Sequence, residues 1–132
     1  MTTISTFHVQ VYYEDTDHSG VVYHANYLKY FERAREHLLG ISALVTLFEE
    51  HGIGFVVYKA DLTYKKGAQF GDTVRIETTV EQESAFRLIF RQTAKLDSDN
   101  SILVDGLIDL VCVDHQRNLI KLPEVVLQAL HL

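Results

Sequence analysis

Carboxylate and imidazole side chains are concentrated in one short stretch of the sequence, YYEDTDHSGVVYHANY, at residues 12–27. Three acids and two histidines lie in it: Glu14, Asp15, Asp17, His18 and His24. These are the side chains that proteins use as general acids and bases, as nucleophiles and as metal ligands. The stretch is therefore the first candidate for a site with chemistry.

The flanking residues predict which elements position this stretch. Residues 7–13 alternate apolar and polar side chains, which predicts a strand. From about Asn26 the apolar residues recur at spacings of three and four, which predicts the buried face of a helix. That face comprises Tyr27, Tyr30, Phe31, Ala34, Leu38 and Ile41. The acidic stretch is then a loop that leads from a strand into the first turn of a helix.

A carboxylate beside the start of a helix can do specific chemistry. The first backbone N–H groups of a helix are unpaired and carry partial positive charge, so they can bind an anion or a developing oxyanion. Asp17 beside such N–H groups could act as nucleophile or general base on a carbonyl held there. Gly20 would let the loop turn tightly or let a ligand approach the backbone.

Two other interpretations of these residues stay open at this point. Acids before a helix commonly cap it or stabilise its dipole, and that role needs no catalysis. His18 and His24 could bind a metal with Asp17, but their spacing matches no common ligand motif and the other histidines are scattered. We therefore predict no metal site.

The rest of the chain predicts an α+β domain. Gly40 interrupts the helix, and Ser42 could cap a second short helix that runs to Glu50. Four β-branched or aromatic runs follow at residues 55–66, 73–82, 84–96 and 102–114, joined by short turns that favour antiparallel pairing. Pro123 could begin a last short helix. We predict a curved antiparallel sheet of about five strands around one central helix, with its long apolar strands covered further by a partner subunit.

Length, charge and composition narrow the function classes. The 132 residues predict one domain, residues 1–132, and the net charge of −6 argues against binding to nucleic acid. The single cysteine, Cys112, lies in an apolar run and is predicted to be a buried thiol. We find neither a signal peptide nor a run near the ~20 apolar residues that cross a membrane, which predicts a cytoplasmic protein without a transmembrane segment.

Two segments of the chain resemble a known family. VYYEDTDHSGVVYHANYLKYFERAREHLL is similar to the signature of the hotdog-fold acyl-CoA thioesterases, in the branch of the 4-hydroxybenzoyl-CoA and YbgC-type (Tol–Pal-associated) enzymes. ADLTYKKGAQFGD resembles the family's second-strand and turn segment, and the likeness extends over about residues 7–113. The resemblance implies the hotdog fold and hydrolysis of an acyl-CoA thioester without a metal or redox cofactor.

The resemblance also implies roles for individual residues. The carboxylate of the family's D-x-x-G element corresponds to Asp17, and the helix-start N–H that polarises the thioester corresponds to His24, whose side chain also assists in YbgC-type members. Tyr13, Gly20 and Asn26 are candidates to line the substrate pocket.

The phosphates of CoA require cations or backbone donors. Candidates are Lys65, Lys66, Arg87 and Arg91, although each could equally be an ordinary exposed charge. The family assembles as a dimer or a dimer of dimers with sites at subunit interfaces, so a homo-oligomer is expected, and an acyl carrier protein is a possible partner.

Two alternatives to a thioesterase remain. A hotdog module could hold an acyl-CoA or acyl carrier protein without hydrolysing it, although a pure binder needs no carboxylate at the helix start. A hotdog dehydratase of 3-hydroxyacyl thioesters would use an acid on the central helix, where Glu32 and Glu36 are available.

Overall fold

The computed structural model describes residues 3–132. Its helices are α1 (Asn26–Leu39), α2 (Ile41–His51) and α3 (Glu124–Ala129). Its strands are β1 (Ser5–Gln10), β2 (Gly54–Tyr64), β3 (Thr73–Gln82), β4 (Arg87–Leu96), β5 (Ile102–Val113) and β6 (Leu119–Ile120). This confirms the predicted α+β class, and it adds a two-residue strand to the five that the sequence predicted.

The strands form one antiparallel sheet in the order β1-β3-β4-β5-β2, with β6 on β5. The predicted hairpins β3-β4 and β4-β5 are confirmed, but the expectation that β2 pairs with its neighbour in sequence is wrong. β2 pairs with β5, three strand spacings or about 14 Å from β3. Residues 65–72 cross the sheet from β2 to β3. Hydrogen bonds to other loops hold this segment: the Val22 amide donates to the Ala68 carbonyl, and the Val11 amide donates to the Asp72 carbonyl.

Helix α1 packs against one face of this sheet. Its buried apolar side chains are Tyr27, Tyr30, Phe31 and Ala34, as the spacing of the apolar residues predicted. Phe31 approaches the sheet at Gly106, where an added Cβ would lie 2.7 Å from the phenyl ring. Ile41 belongs to α2 and is half exposed, so the predicted apolar face ends one turn too late.

A polar cluster fixes the position of α1 on the sheet. Gln92 of β4 accepts a hydrogen bond from the Arg35 guanidinium at 2.9 Å and donates to the Phe31 carbonyl at 3.0 Å. It also donates to the Thr78 hydroxyl at 3.1 Å. Burial lowers the pKa of Arg35. Because a buried amide must be satisfied, these bonds define one placement of the helix.

Strand β2 forms an edge of the sheet. Its outer edge pairs with no strand of the described chain, and most of its residues are exposed on both faces. Three consecutive apolar side chains, Val56, Val57 and Tyr58, are between 44% and 63% exposed. A long apolar edge of this kind is an aggregation hazard unless another chain covers it.

The first strand is shorter than its pattern predicted. It ends at Gln10, and residues 13–15 form a turn of 3-10 helix in place of a strand end. Asp15 causes the change, because its carboxylate accepts the Tyr12 amide at 2.8 Å and so closes the turn. Cys112 is buried as predicted, and burial raises the pKa of its thiol to about 12.

Candidate active site

The loop before α1 is held by hydrogen bonds of its own. Tyr23 donates to the Asp15 carbonyl at 2.9 Å and Asp17 donates to the Val21 carbonyl at 2.8 Å, which closes residues 15–23 into a short hairpin. Gly20 stands at the tip with φ +86°, a conformation that glycine adopts without strain. The hairpin presents Asp17 next to the start of α1.

Asp17 is not a cap of the helix. One oxygen of its carboxylate, Oδ1, accepts the Ser19 amide at 2.8 Å and the Ser19 hydroxyl at 2.6 Å. Within residues 3–132 the other oxygen, Oδ2, accepts no hydrogen bond. The Ser19 hydroxyl and then its amide lower the pKa of Asp17 below its ordinary 3.8, so the carboxylate is ionised at neutral pH.

The start of α1 is open. No side chain of residues 3–132 caps it, and the Asn26 side-chain amide instead donates to the Asp15 carbonyl at 2.9 Å. In the described part of the chain, the backbone N–H of His24 donates to no protein acceptor. A donor left open at a helix start can bind a negatively charged or polarised oxygen.

Asp17 and His24 line the same cleft, which has a volume of about 330 Å³. Its lining comprises Asp17, Val21, Val22, His24, Tyr27, Tyr64, Lys65, Lys66 and Gly67. The carboxylate and the open helix start are thus brought to one apolar surface. This arrangement can polarise a carbonyl and attack it, or activate water against it.

Both predicted lysines lie at the cleft, and both are paired. The Lys65 ammonium is 3.3 Å from Asp105, and that of Lys66 is 3.5 Å from Asp99 and 3.2 Å from the Ser101 hydroxyl. These pairs are about half exposed, so each is weak and can exchange for another anion.

Four predicted pocket residues are not part of this cleft. Tyr13 is 78% exposed and packs edge-on against Phe70, while Gly20 lies at the hairpin tip. The Asn26 side chain holds the loop by donating to the Asp15 carbonyl. Arg87 pairs with Val111 on β5, about 23 Å along the strand from the position that faces Tyr64. Its guanidinium lies over the Tyr58 ring and near Asp109, far from the cleft in this chain.

Tyr64 lines the cleft and was not predicted as a site residue from the sequence. Its hydroxyl donates to the His24 carbonyl at 3.1 Å, and its ring packs edge-on against those of His24 and Tyr27. Burial raises the pKa of both tyrosines, so they are neutral at pH 7. Tyr64 is the last residue of β2, and its contact with the helix start depends on the β2-β5 pairing that the sequence did not predict.

The described residues contain no cluster of three or more metal-ligating His, Cys, Asp or Glu side chains. None of the helices in residues 3–132 combines the length and the apolar character that a membrane span requires.

Known proteins share both the sequence and the fold. A model of the thioesterase-like superfamily matches residues 11–130. The acyl-CoA thioesterase YbgC of Haemophilus influenzae is 36% identical over 129 residues, which cover 96% of this chain and 93% of that protein. The acyl-CoA thioester hydrolase YbgC of Escherichia coli O6:H1 is 36% identical over 116 residues, which cover 86% of this chain and 84% of that protein.

A solved structure, that of a 1,4-dihydroxy-2-naphthoyl-CoA thioesterase from Synechocystis, matches with a TM-score of 0.89. The match covers 98% of this chain and 96% of that one at 24% identity, and it shows the fold alone. The chain belongs to the thioesterase-like superfamily and has its hotdog fold.

Proposed function

We propose that this protein is an acyl-CoA thioesterase that hydrolyses acyl-CoA to a free acid and CoA. The observation that carries the proposal is the shared cleft of Asp17 and the His24 amide, which joins an ionised carboxylate to an open N–H donor. The names of the two relatives that cover most of the chain support the same activity.

The proposed mechanism begins with the thioester carbonyl at the start of α1. The His24 N–H donates to the carbonyl oxygen and stabilises the negative charge that develops there. Asp17 then uses Oδ2 either to attack the carbonyl carbon or to remove a proton from an attacking water. Both routes expel the CoA thiolate, and in the first, water hydrolyses the resulting anhydride with Asp17 regenerated.

His24 lines the cleft and its imidazole packs edge-on against Tyr64, so we propose that the imidazole also contacts the substrate. Lys65 and Lys66 are the proposed contacts for the phosphates of CoA. Each would exchange its carboxylate partner for a phosphate, which costs little because the present pairs are exposed.

We further propose that the protein is a dimer that pairs through β2. The unpaired edge and the exposed apolar residues Val56, Val57 and Tyr58 support this assembly. A second copy at this edge would also bring further residues toward the cleft, because Tyr64 is on the same strand. Light scattering should give twice the chain mass, and Val57→Lys should shift the protein toward monomer.

The test of function is thiol release from a panel of short-chain, long-chain and aromatic acyl-CoAs, with wild type beside Asp17→Asn. We expect hydrolysis of at least one acyl group by the wild type and near-complete loss in the variant. An acyl-CoA that binds and is recovered intact would instead indicate a binding module. Hydrolysis of an acyl carrier protein thioester alone would reassign the substrate.

A dehydratase is less consistent with the structure. Glu32 lies on the exposed side of α1, and neither Glu32 nor Glu36 lines the cleft that contains Asp17. Formation of an enoyl product from a 3-hydroxyacyl-CoA would overturn this assignment.

A further inference from the structure

Ser19 contacts the carboxylate of Asp17 through two of its own atoms. Its amide and its hydroxyl both donate to Oδ1, at 2.8 and 2.6 Å. Two donors on one oxygen fix the plane of the carboxylate as well as its position. Of the two Asp17 carboxylate oxygens, Oδ2 is the one that accepts no hydrogen bond from residues 3–132.

The hairpin that carries Asp17 does not depend on the Ser19 hydroxyl. Asp17 is in a turn closed by main-chain bonds, Gly20 N–H to the Asp17 carbonyl at 3.0 Å and Asp17 N–H to the Val21 carbonyl at 2.8 Å. These bonds persist in any Ser19 variant. Removing the Ser19 hydroxyl should therefore leave the hairpin intact and leave Oδ1 with the Ser19 amide as its one donor, so that the carboxylate is held less firmly.

We propose that Ser19 is a positioning residue of the active site, whose hydroxyl holds Oδ1 of Asp17 so that Oδ2 is directed at the bound thioester. This inference rests on the proposed thioesterase function and adds a residue to it. Ser19 itself is outside the set of residues that line the cleft.

The hydroxyl also lowers the pKa of Asp17. Other ionisable side chains share the cleft or the loop, namely Asp15, His18, Tyr23, His24, Tyr27, Tyr64, Lys65 and Lys66. None of these charges lowers the pKa of Asp17; the Ser19 hydroxyl has the largest effect, followed by the Ser19 amide, with smaller effects of the nearby Val21 and Gly20 N–H groups. Loss of the hydroxyl should therefore raise the pKa of Asp17.

The chain supplies a matched control in the turn between β4 and β5. There Asp99 Oδ1 accepts the Ser101 amide at 2.9 Å and the Ser101 hydroxyl at 2.6 Å, the same pattern as at Asp17. Ser101→Ala thus removes the same bond from a turn that, within residues 3–132, contacts the cleft through Lys66 alone, so any effect of this variant should fall on KM and not on kcat or the acid limb.

The experiment measures kcat, KM and the acid limb of kcat/KM on the best acyl-CoA for wild type, Ser19→Ala, Ser19→Thr and Ser101→Ala. We expect Ser19→Ala to lower kcat by about 10-fold, the effect of losing one charge-assisted hydrogen bond, with little change in KM. Its acid limb should move to higher pH, because a carboxylate with fewer donors is protonated more readily. Ser19→Thr should restore kcat and the position of the acid limb, and Ser101→Ala should change neither kcat nor the acid limb.

The outcomes separate this inference from the proposed function. Wild-type kcat and an unmoved acid limb in Ser19→Ala, together with an inactive Asp17→Asn, would overturn the role of Ser19 and leave the thioesterase intact. A wild type without thioesterase activity, or a fully active Asp17→Asn, would overturn the function itself. An equal loss in Ser101→Ala would show a general effect on stability and would also overturn the positioning role.

Discussion

Two turns of this protein share one pattern of side-chain hydrogen bonds and have different surroundings. Asp17-His18-Ser19 and Asp99-Asn100-Ser101 each fold an aspartate Oδ1 onto the amide and hydroxyl of a serine two residues later. In both, these hydrogen bonds lower the pKa of the aspartate. An ionised, hydrogen-bonded carboxylate is therefore not in itself a sign of catalysis.

The difference lies in what faces the second carboxylate oxygen. Asp99 Oδ2 is 3.5 Å from the Lys66 ammonium, and Ser101 leads directly into β5. Within residues 3–132, Asp17 forms no salt bridge, and the chain after Ser19 leads into the open start of α1. We infer that the helix start and the apolar cleft give the first turn its chemistry.

A large effect is expected from the start of α1, which the second turn lacks. His24 precedes the first helical residue, Asn26, and its N–H donates to no acceptor in residues 3–132, so His24→Pro deletes the proposed oxyanion donor without removing a hydrogen bond of the helix. We expect kcat in His24→Pro to be about 10²–10³-fold below that of His24→Ala, which keeps the amide. Circular dichroism and thermal melting should confirm that both variants fold, and equal rates in the two would exclude the amide as the donor.

The next prediction concerns substrate binding by Lys66, whose ammonium pairs with Asp99 of the second turn. If Lys66 leaves Asp99 for a phosphate of CoA, Lys66→Gln should raise KM by about 5-fold and leave kcat unchanged, since one exposed ion pair contributes ~1 kcal/mol. Lys29→Gln, on an exposed position of α1 away from the cleft, serves as the control. The same KM in both variants would leave Lys66 as a partner of Asp99 alone.

An effect of similar size, on kcat in place of KM, is expected from Tyr64, which links β2 to the helix start. Tyr64→Phe removes only the hydrogen bond to the His24 carbonyl, and we expect kcat to fall about 5-fold, the effect of one neutral hydrogen bond. Tyr58→Phe in the same strand, far from the cleft, should retain wild-type kcat. Turnover that is equal in the two variants would show that Tyr64 does not position His24.

The elements that carry their own periodicity were predictable from the sequence. The apolar spacing from Asn26 predicted α1, and the alternation of Val74, Ile76 and Thr78 predicted β3 at its observed bounds. Gln92 lies on the same buried face in β4, but a polar residue gives no apolar signal, and its role depends on Arg35 and Thr78 from distant positions.

The contacts that depend on topology were not predictable. Pairing of β2 with β5 brings Tyr64 to His24, and the crossing segment brings Lys65 and Lys66 to the cleft while Arg87 lies at the far end of the sheet. Asn26, predicted to line the pocket, instead holds the loop, because its side chain donates to the nearby Asp15 carbonyl.

The most direct test of the central contrast is the ratio of kcat/KM in Asp99→Asn to that in Asp17→Asn, measured by thiol release on one acyl-CoA. Each substitution changes one carboxylate to an amide in the same kind of turn. We predict a ratio of about 10²–10⁴, with Asp99→Asn close to wild type, which is the range for loss of a catalytic acid or base. A ratio near one would contradict the account, because it would show that the carboxylate beside the helix start does no more than its counterpart beside Lys66.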